Sequence, residues 1–411
     1  MPLWTPILTP ARTRTLVPAF QWVATRVCKA ATHAWLAWAV ATGALAADRQ
    51  TAPSTQPTTT SAASTPTAAH TDAVPDPGPT QVLHIRVVGG LDKLAQFRKF
   101  EEPFWRDQLP RLTQGHVQAT VVPFDSAGIR AHEVMRLMAL GVVPFGTALL
   151  SNVMLTDPEL AAMDLAGAHP DMATLRRSVA AFRPHLEASM RKRHGIEVLA
   201  VYVYPAQVVF CAQPFTGLSD LGGRRVRISN PSQGDLIRPF GAQPVTTEFA
   251  QVVDQVRRGN LDCAITGGMS GYAIGLAEVT SHISPVAVNW GLSVFGANVS
   301  AWKSLPADVR TVLRTELPRL EAAIWADAEQ QTEQGIRCNT GAAACPGGKP
   351  GRLQMVSANE QDAQRLREAF RTSVLPSWLQ RCGPGCGEVW NRWLAAPTGV
   401  ALPKTPHSRE R

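Results

Sequence analysis

Residues 218–267 read LSDLGGRRVRISNPSQGDLIRPFGAQPVTTEFAQVVDQVRRGNLDCAITG, and their alternating pattern indicates the fold class. Short runs rich in β-branched residues alternate in it with runs whose apolar residues recur at three- and four-residue spacing. The predicted order is strand (224–229), helix (232–241), strand (243–247), helix (248–259) and strand (261–267). This β-α-β-α-β pattern is typical of an α/β unit, in which helices flank a parallel sheet.

A second unit of the same kind precedes it in the chain. Three strand-like runs are HIRVVGG (84–90), HVQATVVPF (116–124) and PFGTALLS (144–151). A helical segment at 91–112, broken near Pro103, and a second one at 132–141 separate them. Two such units in a chain of 411 residues predict two lobes.

Two long apolar runs are suited to connect the lobes. The run 195–214 is too long for one ordinary strand and predicts a strand that crosses between lobes, and the run 288–300 is a candidate for the return. A long helix from Pro306 to about Gln334, kinked at Pro318, follows. The predicted boundaries are 82–206 with about 291–335 for lobe I, and 207–290 with about 336–394 for lobe II. Two α/β lobes joined in this way form a cleft that closes around a small molecule by hinging.

The two ends of the chain differ from the rest in composition. Residues 1–46 carry basic side chains, a short apolar run and a final Ala-Leu-Ala, which predicts a signal peptide cleaved after Ala46. An uncleaved anchor is the alternative, although the apolar run is shorter than the roughly 20 residues of a membrane span. Residues 47–81 are rich in Thr, Ser and Pro and predict a disordered linker, and 395–411 predict a flexible tail.

Export favours disulfides, because the compartment outside the cytoplasm is oxidising. Cys28 is removed with the signal peptide, and six cysteines stay in the mature chain. Six cysteines allow fifteen pairings; the short loops favour Cys338–Cys345 and Cys382–Cys386, and Cys211–Cys263 is the third predicted pair, with less support. A zinc site is the alternative, but no nearby histidine completes a set of ligands. We expect neither a metal nor a cofactor.

Three arginines stand in the strand-like run RRVRIS. Side chains alternate along a strand, so Arg225 and Arg227 share one face. Arg227 lies near the carboxyl end, where Asn230 can cap the next helix and Pro231 suits its first turn. A guanidinium beside a helix start favours a carboxylate ligand, because two parallel hydrogen bonds fix its orientation. The alternative is that both arginines pair with Asp or Glu at a solvated strand end.

Residues 218–267 resemble the central block of the solute-binding subunits of tripartite ATP-independent periplasmic (TRAP) transporters, the DctP family. In that family a DLKGLKIRV strand leads to a helix, an LGA-P-V segment and a further helix and strand. A looser similarity extends from Leu83 to about Trp378 and includes PFDSAG (123–128) and the helix after SLPADVR (304–310). The resemblance implies a two-lobed periplasmic binding protein fold of mixed or parallel sheets, with a long helix spanning both lobes.

The same resemblance implies a function and a key residue. Members capture an organic acid in the periplasm and deliver it to a membrane permease, and the family arginine that grips the carboxylate falls on Arg227. The chain departs from the family pattern at Gln207, where many members carry a second arginine, and at Thr266, near an asparagine position. These departures leave the identity of the acid open.

Other candidate ligand-binding residues lie at strand ends and in the return run. Thr266 and the glycines after it end a strand, so their hydroxyl and N–H groups face the crevice unless the segment is a plain turn. Asn289 and Trp290 are candidates to orient and wall the ligand, with core packing as the alternative for the tryptophan. The predicted ligand-binding residues are Arg227, Thr266, Gln207, Trp290, Asn289, Phe124 and Asn230.

These patterns favour a binding protein over other classes. Basic residues are scattered, which argues against nucleic acid as a partner. A Gly-x-Ser-x-Gly motif around Ser270 fails because Tyr272 occupies the last glycine position, so we expect no catalytic residue. We predict a monomeric periplasmic protein whose partners are an organic acid and permease subunits. Two alternatives are a periplasmic sensor, which would use the same site and closing motion, and a serine hydrolase using Ser270.

Overall fold

The computed structural model describes residues 82–342, 345, 348–358 and 360–403. The predicted signal peptide (1–46), the predicted linker (47–81) and the end of the predicted tail (404–411) lie outside these ranges. Within the described ranges, no helix combines the length and the apolar character needed to cross a membrane.

The described residues form eleven strands in two sheets. The strands are β1 (Leu83–Gly89), β2 (Val117–Pro123), β3 (Phe145–Leu149), β4 (Ile196–Val203), β5 (Gln207–Cys211), β6 (Arg225–Ile228), β7 (Gln243–Thr246), β8 (Cys263–Gly267), β9 (His282–Ile283), β10 (Leu292–Asn298) and β11 (Gln354–Met355). The first sheet has the order β2-β1-β3-β10-β4, and the second has the order β11-β9-β5-β8-β6-β7. In each, the predicted β-α-β-α-β unit contributes parallel strands, while β10 and β5 run antiparallel to their neighbours. The predicted two-lobed α/β fold is confirmed, with mixed sheets.

Helices cover the faces of both sheets. They are α1 (Leu109–Leu112), α2 (Val134–Ala139), α3 (Leu150–Val153), α4 (Met172–His194), α5 (Pro231–Ile237), α6 (Val252–Arg257), α7 (Gly268–Ala273), α8 (Val299–Ser304), α9 (Ala307–Thr340), α10 (Glu360–Ala369), α11 (Leu375–Cys382), α12 (Cys386–Trp393) and α13 (Ala395–Thr398). Wider π-helical turns at Gln96–Glu101 and Phe104–Gln108 form the segment predicted to break near Pro103.

Helix α9 reaches from the first lobe to the second. Leu313, Leu317 and Ile324 are buried in the apolar core beneath the first sheet. Farther along, Gly335 lies against the backbone of α7, and the Asn339 Nδ2 atom donates to the Gly268 carbonyl at 2.8 Å. The helix therefore continues beyond the predicted end near Gln334, because contacts with the second lobe satisfy its last turns.

Besides α9, two extended segments of the described chain connect the sheets, and these two crossings are hydrogen-bonded to each other. The first crossing joins β4 to β5, and the second leads into β10. The Tyr204 N–H donates to the Gly291 carbonyl at 3.0 Å, and the Gln207 N–H donates to the Asn289 carbonyl at 2.7 Å. Gly291 has a φ of 85°, a conformation that other residues rarely adopt. Asp164 accepts the N–H groups of Gly291 and Leu292, both at 3.1 Å.

The C-terminal segment differs from the sequence prediction in two respects. Helices α11 and α12 contact elements of both lobes, α5 and α4 respectively, rather than lobe II alone. Residues 395–398 are helical where a flexible tail is predicted, and the Trp390 Nε1 atom donates to the Val400 carbonyl at 2.8 Å. The composition of this segment resembles a tail, but a buried tryptophan indole needs the carbonyl that the segment supplies.

Three disulfides join the cysteines as predicted. Cys211–Cys263 links β5 to β8, Cys382–Cys386 links α11 to α12, and Cys338–Cys345 closes a short loop at the end of α9. The six cysteines are therefore bonded to each other and do not serve as zinc ligands.

Candidate functional site

The candidate site is a cleft between the carboxyl ends of the parallel strands of the two sheets. It consists of an inner cavity of about 80 Å³ and an outer cavity of about 490 Å³. The residues that line both cavities are Leu91, Leu149, Ser151, Arg227, Ser229 and Phe249. Because both lobes contribute to this shared wall, the two cavities form one continuous cleft. Open α/β sheets bind ligands at this edge.

Arg227 is buried in the wall of this cleft and is held by neutral acceptors. It lies in β6, and only 4% of the residue is exposed. Its Nε atom donates to the Thr247 carbonyl at 3.0 Å, and its Nη1 atom donates to the Ile265 carbonyl at 2.8 Å. Thr247 directly follows β7 and Ile265 lies in β8, the two strands on either side of β6, so their carbonyls fix the plane of the guanidinium.

The charge of Arg227 is not neutralised within the described part of the chain. None of the ion pairs found there includes Arg227. Burial lowers its pKa to about 10, because the cation loses water, and the nearby negative charge of Glu248 offsets part of that effect. At neutral pH the side chain is still protonated. A buried cation without a counter-ion is costly, so the arrangement favours binding of an anion.

Arg225 and Arg224 have different surroundings. Arg225 forms a two-pronged ion pair with Asp262, with Nε to Oδ2 at 2.9 Å and Nη2 to Oδ1 at 2.7 Å. Hydrogen bonds from the Arg225 side chain hold the pKa of Asp262 below its usual value. Arg224 donates to the carbonyls of Gln213 and Pro214. Arg225 thus forms the ion pair with an acidic residue that was given as the alternative, whereas Arg227 has the surroundings expected of a carboxylate-binding residue.

Asn230 begins helix α5 beside Arg227. Its Oδ1 atom accepts the Gln233 N–H at 3.1 Å and the Ser232 hydroxyl at 2.7 Å, as an N-cap does. Pro231 follows at the first helical position. Asn230 lines the outer cavity, but its oxygen is used for capping.

A network of three amides stands behind the inner cavity. Gln233 is fully buried, and its Nε2 atom donates to Gln207 Oε1 and to Asn289 Oδ1, both at 2.8 Å. Its own Oε1 atom accepts the N–H of Ser229 at 2.7 Å. Of the three amides, only Gln207 lines the inner cavity, and Asn289 supports it from behind.

Hydroxyl groups complete the inner wall. Thr266 is 3% exposed and lines the inner cavity together with Ser270 and Tyr204. Burial and the negative charge of Glu101 raise the pKa of Tyr204 well above its usual range, so its phenol is neutral. Neither the Thr266 nor the Ser270 hydroxyl has a hydrogen-bond partner among the described residues. Both are available to a ligand.

The other predicted residues are distributed between the cleft and the core. Phe124 lines the outer cavity. Trp290 is absent from the described lining of both cavities, and its Nε1 atom donates to the His169 carbonyl at 3.1 Å within the main core. The structure thus places Trp290 in the core, which is the alternative given for it from the sequence. Asp125 accepts the Asp92 N–H at 3.1 Å and orders the loop at the cleft mouth.

Five of the six residues of the shared wall, all except Arg227, were not predicted from the sequence. Ser151 and Ser229 are the last residues of the strand-like runs 144–151 and 224–229, and Phe249 comes three residues after β7. A position at or just beyond the end of a parallel strand is the signal by which Thr266 was predicted, and this signal also applies to Ser151, Ser229 and Phe249. Within the described ranges, no group of three or more His, Cys, Asp or Glu side chains is placed to hold a metal ion.

Solved structures share this fold at low sequence identity. The extracytoplasmic solute receptor DctP7 of Bordetella pertussis, which binds pyroglutamic acid, is 20% identical with a TM-score of 0.67, covering 76% of this chain and 99% of that one. A TRAP periplasmic solute-binding protein of Desulfovibrio salexigens with bound orotic acid is 15% identical with a TM-score of 0.68, covering 77% and 99%. One from Sulfurospirillum deleyianum with bound succinate is 19% identical with a TM-score of 0.64, covering 75% and 98%.

Sequence comparison identifies the family. No curated protein matches the chain. The profile of DctP, described as bacterial extracellular solute-binding protein, family 7, matches residues 99–374, which is more than half of the chain. Members of this family are solute-binding receptors rather than enzymes, in agreement with the sequence prediction. The chain therefore belongs to the DctP family of bacterial extracellular solute-binding proteins, family 7.

Proposed function

We propose that this protein captures a small organic acid between its two lobes and delivers it to the membrane permease subunits of a TRAP-type transporter. The observation that carries the proposal is Arg227, a buried guanidinium in the cleft wall that has no ion-pair partner among the described residues. The carboxylate-bearing ligands of similar structures, pyroglutamic acid and succinate, support the proposal.

The geometry of Arg227 suits a carboxylate. A guanidinium has five N–H groups, and the carbonyls of Thr247 and Ile265 use two of them. Three N–H groups are left for a ligand, enough for two parallel charge-assisted hydrogen bonds to one carboxylate. The backbone acceptors hold the guanidinium in place before the ligand arrives, which lowers the entropy lost on binding.

The residues that line the cleft support capture of the ligand by closing of the two lobes. The shared wall combines Leu91, Leu149 and Ser151 of the first lobe with Arg227 and Phe249 of the second. A ligand held by both sides has more contacts in the closed state than in the open state, so its binding shifts the population towards closure. A closed, loaded receptor is what we propose the permease recognises. We propose a periplasmic, monomeric protein for this role.

The experiment compares two arginines of one strand. A thermal-shift screen against a panel of organic acids identifies a ligand, and calorimetry then measures its Kd for the native protein and for Arg227→Ala. Loss of a buried charge pair costs about 2–5 kcal/mol, which is a roughly 30-fold to several-thousand-fold rise in Kd. Arg227→Lys should also weaken binding, because it lacks the planar fork.

Arg225→Ala is the matched control. It removes the same charge from the same strand face, but from a side chain that pairs with Asp262 outside the cavity lining. We expect its Kd to stay within about twofold of the native value, since rim charges outside a site change affinity little. An unchanged Kd for Arg227→Ala, or an equal loss in both variants, would contradict the proposal.

A further inference from the structure

The inner cavity has one charged side chain in its lining. The described residues around it are apolar, hydroxyl-bearing or amide side chains, together with the backbone of Gly267 and Gly291, and Arg227 is the one ionic group among them. Tyr204 is neutral there, because burial raises its pKa. A ligand that enters this cavity therefore finds a counter-ion for one negative charge.

Cations elsewhere around the cleft are exposed and mostly paired. At the mouth, the Arg130 side chain is 74% exposed and lies 3.7 Å from Glu133. A further cavity on the other side of Tyr204 shares Leu94, Tyr204 and Ser270 with the inner one. Its cations are exposed, and two of them are paired, Arg98 with Asp92 and Lys99 with Asp327; the third is Lys93. The outer cavity also contains Asp125 and Glu248, whose negative charges repel an anion. None of these groups offers a buried positive charge to the far end of a ligand bound at Arg227.

The amide network fixes which side of Gln207 faces the ligand. The Ser229 N–H is a donor that cannot reverse, so Gln233 must turn its Oε1 atom towards it. The Gln233 Nε2 atom then donates to Gln207, so Gln207 must accept this hydrogen bond through its Oε1 atom. The Gln207 Nε2 atom is left on the opposite side, where it makes one long bond of 3.4 Å to the Trp290 carbonyl. Gln207 therefore presents an N–H donor at the wall of the inner cavity.

This donor and the neighbouring hydroxyls suit a neutral acceptor. A carbonyl or hydroxyl oxygen can accept from Gln207, Thr266 or Ser270 without bringing a charge into the cavity. A second carboxylate would lose its water and gain neutral hydrogen bonds but no counter-ion, and burying an unpaired charge is strongly unfavourable.

We infer that this protein selects acids with one carboxylate and a neutral hydrogen-bond acceptor at the other end, and that it discriminates against dicarboxylates. The inference rests on the proposed function, because it places the single carboxylate on Arg227. Gln207 is the residue to which we assign the discrimination, because it occupies the wall of the inner cavity with an uncharged donor.

The test uses pairs of acids that differ in one charge. Succinamate and succinate share a carbon skeleton, as do glutaramate and glutarate, and in each pair an amide replaces one carboxylate. Thermal shift and calorimetry near neutral pH give the affinity of the native protein for each. We expect the half-amide to bind at least about tenfold more tightly than the diacid in the pair that fits, a difference typical of one uncompensated charge. A diacid that binds as tightly as its half-amide would overturn the inference.

Two variants link the discrimination to Gln207. Gln207→Arg supplies a second cation and should shift the preference towards the diacid by about tenfold or more. Gln243→Arg is the matched control, because it adds the same charge at an exposed position of β7 outside the cleft lining, and it should keep the native preference. A preference that changes equally in both variants would contradict the assignment to Gln207.

The outcomes separate this inference from the proposed function. If diacids bind well and Arg227→Ala abolishes that binding, the inference fails while carboxylate capture stands. If no acid of either series or of the wider panel binds, or if binding is indifferent to Arg227→Ala, the proposed function fails and the inference fails with it. If Gln207→Arg does not fold, the comparison of half-amide with diacid in the native protein still tests the inference.

Discussion

Replacing Asp164 with asparagine should change how the stability of this protein depends on pH. Asp164 is buried and accepts two backbone N–H groups of the return crossing, those of Gly291 and Leu292. Burial raises its pKa from 3.8 to about 7, and the two N–H groups offset only part of that effect. Between these two pKa values the folded protein keeps a proton that the unfolded chain has lost. The free energy of unfolding therefore falls as pH rises from about 4 to about 7.

The size of the effect follows from the two pKa values. A difference of about 3 units, at about 1.4 kcal/mol per unit, amounts to about 4 kcal/mol across this range. His169 acts in the opposite direction, because burial lowers its pKa from 6.5 to about 4. Its contribution to the free energy of unfolding rises by about 3 kcal/mol as pH rises from about 4 to about 6.5. In the native protein the two slopes largely cancel, and Asp164→Asn exposes the slope of His169.

Urea unfolding at several pH values between about 4.5 and 7.5 measures this directly. We expect the free energy of unfolding of Asp164→Asn, minus that of the native protein, to increase by about 1.4 kcal/mol per pH unit up to about pH 7. His169→Gln is the control, and its difference from the native protein should change with pH in the opposite direction. The constant cost of a lost hydrogen bond does not affect either slope. A difference that is independent of pH would count against this prediction, because Asp164 would then ionise alike in the folded and the unfolded protein.

Two further predictions concern stability. The Cys211–Cys263 disulfide spans 52 residues, so replacing both cysteines with alanine should lower the free energy of unfolding by about 4 kcal/mol; an unchanged urea midpoint would argue against this constraint. Gly335→Ala should lower the Tm by several degrees, because a Cβ atom there would lie 2.6 Å from the Gly268 carbonyl carbon. Gly387→Ala, another helical glycine but one with ordinary contact distances around it, should leave the Tm unchanged or raise it, and an equal Tm loss in both would count against the packing argument.

Much of the fold was predictable because it depends on local patterns. Strand and helix periodicities located the parallel strands of both lobes, since each element exposes one face and buries the other. The apolar run 195–214 proved to be β4 and β5, one in each sheet. The antiparallel placement of β5 and β10 was not predictable from periodicity, because a buried strand reads the same in either direction. The helix at 395–398 was missed because its partners lie in α12 and α4, while its own composition resembles a tail.

Local sequence patterns were enough to predict the two α/β lobes, the crossings between them and an arginine near the carboxyl end of β6. The position near the carboxyl end of β6 and the family resemblance singled out Arg227, but they left open whether the arginines of this strand pair with Asp or Glu. The tertiary structure resolves this, because Asp262 pairs with Arg225, whereas the hydrogen bonds of the Arg227 guanidinium within the described residues go to two backbone carbonyl groups. Electrostatic pairing depends on distances between residues that are remote in the chain, whereas sequence periodicity depends only on residues that are close together in the chain. A buried cation becomes a binding group when no described residue forms an ion pair with it, and that is a property of the folded chain.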